Sequence, residues 1–110
     1  MRNFIYPKNA YLAARKLIIE NKKVPSRIIK TIKRSPSYTA SLINRLICHK
    51  QKIPKHLLNN FKHYIKTDPK YSQEDYYTML VFGAMKKHYN ENEIKYVLKE
   101  NPEFLEYFLT

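Results

Sequence analysis

Apolar residues recur along this chain at the spacing of an α-helix. In the first stretch they stand at positions i, i+4, i+7 and i+8, and so share one helical face: Ala10, Ala14, Leu17 and Ile18. The chain contains neither Asn-Gly nor Asp-Gly, the dipeptides that are typical of tight β-hairpins. The pattern therefore predicts an all-α protein.

The helical pattern repeats, and prolines mark its divisions. Pro7 and Pro36 open two similar stretches, and Pro25 and Pro54 each follow 18 residues later. A third stretch begins at Pro69 and lacks the internal proline. Proline suits the first turn of a helix, and it disfavours helical geometry at the residue before it. Each internal proline should therefore end one helix and help to start the next.

We predict a single domain built as three stacked helical hairpins with a short C-terminal helix. One hairpin cannot bury its apolar face by itself, so three in a row are about the minimum for a stable array. An irregular globule of six helices is the alternative. Asn90, which precedes two glutamates, is predicted to cap the last helix of the third hairpin. The domain covers residues 1–110, the repeats cover approximately 7–35, 36–68 and 69–101, and the terminal helix covers 102–110.

The repeat resembles a known group of helical proteins. The pattern Pro-x-x-Ala-x-x-x-Ala-x-x-Leu-Ile, followed by Val-Pro-x-x-Ile-Ile, is similar to the short proline-punctuated helical repeats in proteins of large tailed phages. The resemblance covers residues 7–67 closely and residues 69–110 loosely. It implies a small accessory phage protein that acts in the host cytoplasm, against host machinery or host defences that include RNA-targeting toxin systems.

Composition excludes several other classes of protein. With 1 Gly and 1 Cys in 110 residues, the chain cannot form a glycine-rich phosphate loop, an internal disulfide or a multi-thiolate metal site. Its uncharged runs are far shorter than the ~20 apolar residues of a membrane span. We therefore expect a cytoplasmic protein that is not an enzyme, that has no metal or cofactor and that does not contact a membrane.

Charge is distributed unevenly along the chain. Residues 1–67 contain 16 Lys and Arg against the single acid Glu20, a net +15. Residues 68–110 contain 5 Lys and 8 acids, a net −3, which brings the total to +12. Such a block of positive charge attracts polyanions, so the first two repeats are predicted to bind nucleic acid.

Basic residues also recur at equal offsets within the repeats. Lys23 corresponds to Lys52, for example, and Arg27 corresponds to His56. A regular row of cations can track a phosphate backbone, although helix surfaces are commonly polar without binding anything. Lys outnumbers Arg, which favours sequence-tolerant phosphate contacts, and we place RNA ahead of DNA. Lys16 corresponds to Arg45, and Thr78 takes their position in the third repeat, where the row should fade. The predicted nucleic-acid-binding residues are Lys16, Lys22, Lys23, Arg27, Lys33, Arg45, Lys50, Lys52 and Lys62.

The basic repeats also support two other hypotheses, a DNA regulator and a nuclease. Residues 12–34 fit a helix-turn-helix regulator of DNA, although a proline replaces the usual turn glycine. His56 and His63 share a helix face and could in principle cleave RNA by acid–base chemistry, but solvated histidines are the simpler interpretation.

Cys48 is predicted to be a small buried apolar residue, and most tyrosines are expected to pack against the core.

The last third of the chain combines aromatic residues with acids. This mixture is typical of a protein interface or of self-association, and also of a capping repeat with a polar outer face. It supports a second hypothesis, in which the chain is an interaction module or inhibitor that binds an acidic host protein. The predicted interface residues are Tyr96, Phe104, Tyr107 and Phe108.

Overall fold

The computed structural model describes residues 6–67 and 75–108, with all of their side chains except those of Asp75 and Tyr107. This part of the chain is helical and contains no strand, which confirms the predicted all-α class. Three contiguous segments, Asp75–Thr78, Met79–Gly83 and Ala84–His88, make up the fifth helix, α5. The other elements are α1 (Pro7–Ile19), α2 (Ser26–Ile32), α3 (Pro36–Cys48), α4 (Lys55–Thr67), α6 (Glu91–Val97) and a 3₁₀ helix (Pro102–Phe108).

The first two helix pairs have the same backbone geometry at their turns. α1 and α3 are each followed by a residue in the left-handed region, Asn21 with φ 60° and Lys50 with φ 56°. In both turns the amide of the next residue donates to the carbonyl five residues earlier, at 2.8 Å. This bond belongs to the Schellman motif, which satisfies the last carbonyls of a helix. The sequence similarity at these turns therefore corresponds to a structural similarity.

The internal prolines stand where the second helix of each pair begins. The carbonyl of Pro25 accepts hydrogen bonds from the amides of residues 28 and 29, at 3.1 and 3.2 Å. The carbonyl of Pro54 accepts from residues 57 and 58 at the same distances. Pro25 has φ −63° and ψ 147°, the extended geometry of an N-cap residue. Each proline therefore supplies the carbonyl that starts a helix.

The third helix pair is built differently. The middle segment of α5, Met79–Gly83, is π-helical, and α6 begins with a capping box instead of a proline. In that box the amide of Glu93 donates to the side chain of Asn90 at 2.8 Å, and the amide of Asn90 donates to the Glu93 carboxylate at 2.9 Å. The predicted cap at Asn90 is confirmed. Thr78 is 7% exposed, so it lies at a core position and not in a surface row with Lys16 and Arg45.

The core runs through all three helix pairs, with α3 at its centre. α3 packs against α1, α2, α4 and α5. An aromatic cluster extends this core toward the C-terminus: the ring centroids of Phe82 and Phe104 are 5.1 Å apart, and those of Phe61 and Phe104 are 6.4 Å apart. The 3₁₀ helix is therefore attached to the core by Phe104.

Candidate nucleic-acid interface

Two basic turns lie side by side at one edge of the helical array. The α1–α2 turn carries Lys22 and Lys23, and the α3–α4 turn carries Lys50 and Lys52; all four are exposed. The Gln51 side-chain amide donates to the carbonyl of Ile18 at 3.4 Å, which holds the second turn against the end of α1. Because the backbones of the two turns match, lysines from neighbouring repeats are presented together.

The remaining predicted residues are spread over the helices. Lys16 lies on α1 and is exposed, whereas Arg45 lies on α3 and is half-buried. Arg27 lies on α2, Lys33 caps the C-terminal end of α2 and is half-buried, and Lys62 lies on α4, where it is also half-buried. The nine predicted residues thus lie on the first helix of a pair (α1 or α3), in the turn that follows it, or on the second helix (α2 or α4) and its C-terminal cap.

Carboxylates from residues 93–103 contact lysines of α4 and of the turn before it. The Lys50 ammonium lies 3.4 Å from the Glu93 carboxylate, and the Lys55 ammonium lies 2.8 Å from Glu100. Glu103 contacts Lys62 and also lies 3.8 Å from Lys66. Two of the predicted phosphate-binding residues, Lys50 and Lys62, are therefore already paired with carboxylates from the last third of the chain.

These contacts lower the pKa of each carboxylate. The hydrogen bond and the charge of Lys55 lower the pKa of Glu100, and the same contact raises the pKa of Lys55. A hydrogen bond from Lys62 is the main cause of the lowered pKa of Glu103. For Glu93 the backbone amide of Asn90 lowers the pKa most, and Lys50 adds to the effect. Lysines of the second repeat thus neutralise much of the negative charge of the last third of the chain.

The first helix pair keeps its positive charge. Within residues 6–67 and 75–108, Lys16, Lys23, Arg27 and Lys33 have no carboxylate within 4.0 Å. Glu20, the single acid of the first 67 residues, lies 3.6 Å from Lys22. The uncompensated charge of the molecule is therefore concentrated on α1, α2 and the turn between them.

The second helices of the first two pairs are joined at the end of α2. The side chains of Asn60 and Tyr64 both donate to the carbonyl of Lys33, at 3.2 and 2.5 Å. Partial burial and the nearby Lys33 charge lower the pKa of His56, which favours its neutral form. Since the Tyr64 hydroxyl helps to hold the helices together, this residue is structural.

The predicted protein-interface residues separate into different environments. Tyr96 is 70% exposed, but Phe104 is 3% exposed and belongs to the aromatic core, so its prediction as an interface residue is wrong. Phe108 is half-buried with its ring centroid 5.7 Å from that of Phe82, which also makes it a packing residue. The side chain of Tyr107 lies outside the described part of the structure.

Cys48 lies at the edge of the core. It is half-buried, and its thiol lies 3.7 Å from the side-chain oxygen of Asn44, to which it can donate. The Asn44 amide in turn donates to the carbonyl of Leu80 in the π-helical segment, at 2.6 Å. Cys48 therefore packs against the core as predicted, but it is only partly buried, and its thiol has a polar neighbour on its own helix.

A groove of about 590 Å³ lies between α4 and α6. Lys52 and Lys55 line it on the side of α4, and Tyr96 and Lys99 line it on the side of α6. The Lys99 ammonium lies 4.6 Å from the centroid of the Tyr96 ring. Lys55 and Lys99 were not among the predicted site residues. The signal for Lys99 is its position three residues after Tyr96, in the turn that follows α6.

Comparison of the chain with protein-family models, with curated proteins and with solved structures finds no match. Over the ranges that the structure covers, no helix has the length and apolar character needed to span a bilayer. Those same ranges hold no group of three His, Cys, Asp or Glu residues placed to bind a metal ion.

Proposed function

We propose that this protein binds the phosphate backbone of nucleic acid, preferably RNA, and acts as a binding protein and not as an enzyme. The observation that supports the proposal is the uncompensated charge of the first helix pair beside a second pair whose lysines are partly neutralised. Lys16, Lys23, Arg27 and Lys33 are the main candidates for phosphate contacts, and Lys52 extends them into the second turn. Lys50 and Lys62 contribute less, because a ligand would have to compete with their carboxylate partners.

Binding should be sequence-tolerant and strongly dependent on salt. A lysine ammonium makes point contacts with phosphates and lacks the planar fork that reads a guanine edge. If about six phosphates of a single strand are neutralised, affinity should fall roughly 300-fold between about 50 and about 200 mM salt. A response below about 5-fold would contradict the proposal.

The test is fluorescence anisotropy with labelled single-stranded RNA, single-stranded DNA and duplex DNA at these two salt concentrations. A variant with Lys23→Glu and Arg27→Glu should lose binding to all three ligands. The matched control is Lys86→Glu with Lys87→Glu, which makes the same change in net charge at two exposed lysines of α5. Equal losses in the two variants would show that total charge, and not the first helix pair, governs binding.

A protein partner is the second candidate function, and one surface favours it. Tyr76 and Met79 are exposed on α5 and border a shallow cavity together with Cys48 and Leu80. This apolar surface is distinct from the basic turns. If it carries the function, the protein should form a stoichiometric complex that survives nuclease treatment and is lost in a Met79→Glu variant.

The helix-turn-helix alternative predicts a different ligand preference. α2 has seven residues, and Arg27 is the basic residue in its first turn. A DNA regulator would prefer one duplex sequence over others by a factor of about 1,000 or more, whereas backbone binding would not. The phage resemblance, if it extends to function, would place this activity in a host cytoplasm, acting on RNA or on an RNA-targeting toxin system.

A further inference from the structure

The groove between α4 and α6 combines an aromatic surface with cations. Its volume of about 590 Å³ lies within the range of pockets that hold small organic ligands. Tyr96 lines it with an exposed ring, and the Lys99 ammonium lies 4.6 Å from the ring centroid. Other proteins bind single-stranded nucleic acids with an aromatic ring beside a cation, because a base stacks on the ring and the cation binds a phosphate.

Part of the positive charge of the groove is available to a ligand. Lys50 and Lys55 contact Glu93 and Glu100, which also line the groove. The other two lining lysines, Lys52 and Lys99, have no carboxylate within 4.0 Å among the described residues. With four lysines against two glutamates, the lining has a net charge of +2. The groove therefore favours an anionic ligand over a neutral or cationic one.

The groove is continuous with the basic turns. Gln51 lines it, and the Gln51 side chain also donates to the carbonyl of Ile18 at the end of α1. The α1–α2 turn with Lys22 and Lys23 therefore lies next to the entrance of the groove. A strand whose phosphates contact the α3–α4 turn would therefore also meet the lining of the groove, because Lys50, Gln51 and Lys52 belong to both.

We propose that this groove receives one unpaired nucleotide of a single-stranded nucleic acid, with its base against Tyr96 and its phosphates near Lys52 and Lys99. The inference rests on the proposed function, and it narrows the ligand from any nucleic acid to a single strand. In a duplex the bases are stacked and paired inside the helix, so they cannot reach a protein ring. Tyr96 thus discriminates between strands and duplexes, whereas the first helix pair binds both.

The experiment compares an oligouridylate of about ten nucleotides with an RNA duplex of the same length, by anisotropy of the labelled ligands. Tyr96→Ala should weaken binding of the oligouridylate about 10-fold and change binding of the duplex less than about 2-fold. Tyr96→Phe keeps the ring and should bind as the unsubstituted protein does. The matched control is Tyr76→Ala, which removes a tyrosine that is 62% exposed and does not line the groove.

Two outcomes would overturn the inference while the proposed function stands. One is an oligouridylate affinity that Tyr96→Ala leaves unchanged, together with loss of both ligands in the Lys23→Glu, Arg27→Glu variant. The other is an equal loss of oligouridylate and duplex binding in Tyr96→Ala, which would show that the ring does not discriminate between strands and duplexes. Failure of the unsubstituted protein to bind either RNA would instead reject the proposed function, and the inference with it.

Discussion

Truncation of Phe104 tests the architecture, because it destabilises the fold strongly if the side chain lies in the core and not if it lies at an exposed interface. An aromatic side chain buries about 200 Å² on folding, which at about 25 cal/mol per Å² corresponds to about 5 kcal/mol. An alanine retains about 1.5 kcal/mol of this, so Phe104→Ala should lower the free energy of unfolding by about 3 to 4 kcal/mol. The side chain is 3% exposed and meets Phe61 and Phe82, so the full truncation cost applies.

Urea unfolding followed by circular dichroism measures this loss. With an m-value of about 1.5 kcal/mol per M, the midpoint should fall by about 2 M. Phe104→Leu should recover most of the loss, and Tyr96→Ala, at an exposed position of α6, should change stability by less than about 0.5 kcal/mol. If Phe104→Ala unfolds within about 0.5 kcal/mol of the unsubstituted protein, the 3₁₀ helix is not held by the core, and the account of the C-terminal segment is wrong.

Three further predictions concern local structure and pH. Gly83→Ala should raise the free energy of unfolding by about 0.5 to 1 kcal/mol in urea titrations, because Gly83 has helical φ and ψ and an added Cβ meets nothing within 4 Å; a destabilised variant would contradict this. Asn90→Ala should cost about 1 kcal/mol in the same assay through loss of the capping box, whereas an unchanged midpoint would show that the cap does not stabilise α6. Urea midpoints measured at several pH values should show that stability decreases as the pH is lowered below about 4.5. A carboxylate with a lowered pKa stabilises the fold fully above its ordinary pKa of 4.5, and this contribution is lost as the pH falls through the lower pKa of the folded state. Replacing these three carboxylates, Glu93, Glu100 and Glu103, by glutamine should flatten that part of the pH profile.

Local patterns in the sequence were sufficient to predict the helices of the first two repeats. Pro25 and Pro54 act on their immediate neighbours, so their effect on helix starts can be deduced without knowledge of the fold. The cap at Asn90 is predictable for the same reason, since its partner is three residues away. These features depend on backbone geometry over a few residues, which a sequence displays directly.

Contacts between distant parts of the chain could not be deduced in this way. The ion pair between Lys55 and Glu100 joins residues 45 positions apart, so the sequence showed a basic region and an acidic region but not their mutual neutralisation. Phe104 was misassigned for a related reason. An aromatic residue between glutamates has the same local pattern at an interface and in a core, and the packing of Phe82 and Phe61 decides between them.

The central position of α3 has a consequence for the kinetics of folding. Because α3 packs against α1, α2, α4 and α5, its side chains are not fully buried until helices on both sides of it in the chain have docked. Helical arrays can nucleate locally and grow by adding neighbours, and a nucleus that contains α3 can grow in either direction. Core substitutions in α3 should then slow refolding, whereas substitutions in the 3₁₀ helix, which docks at the edge, should mainly accelerate unfolding. Although α3 belongs to the second unit alone, it contacts helices of the first and third, so folding should centre on this helix and not on each unit separately.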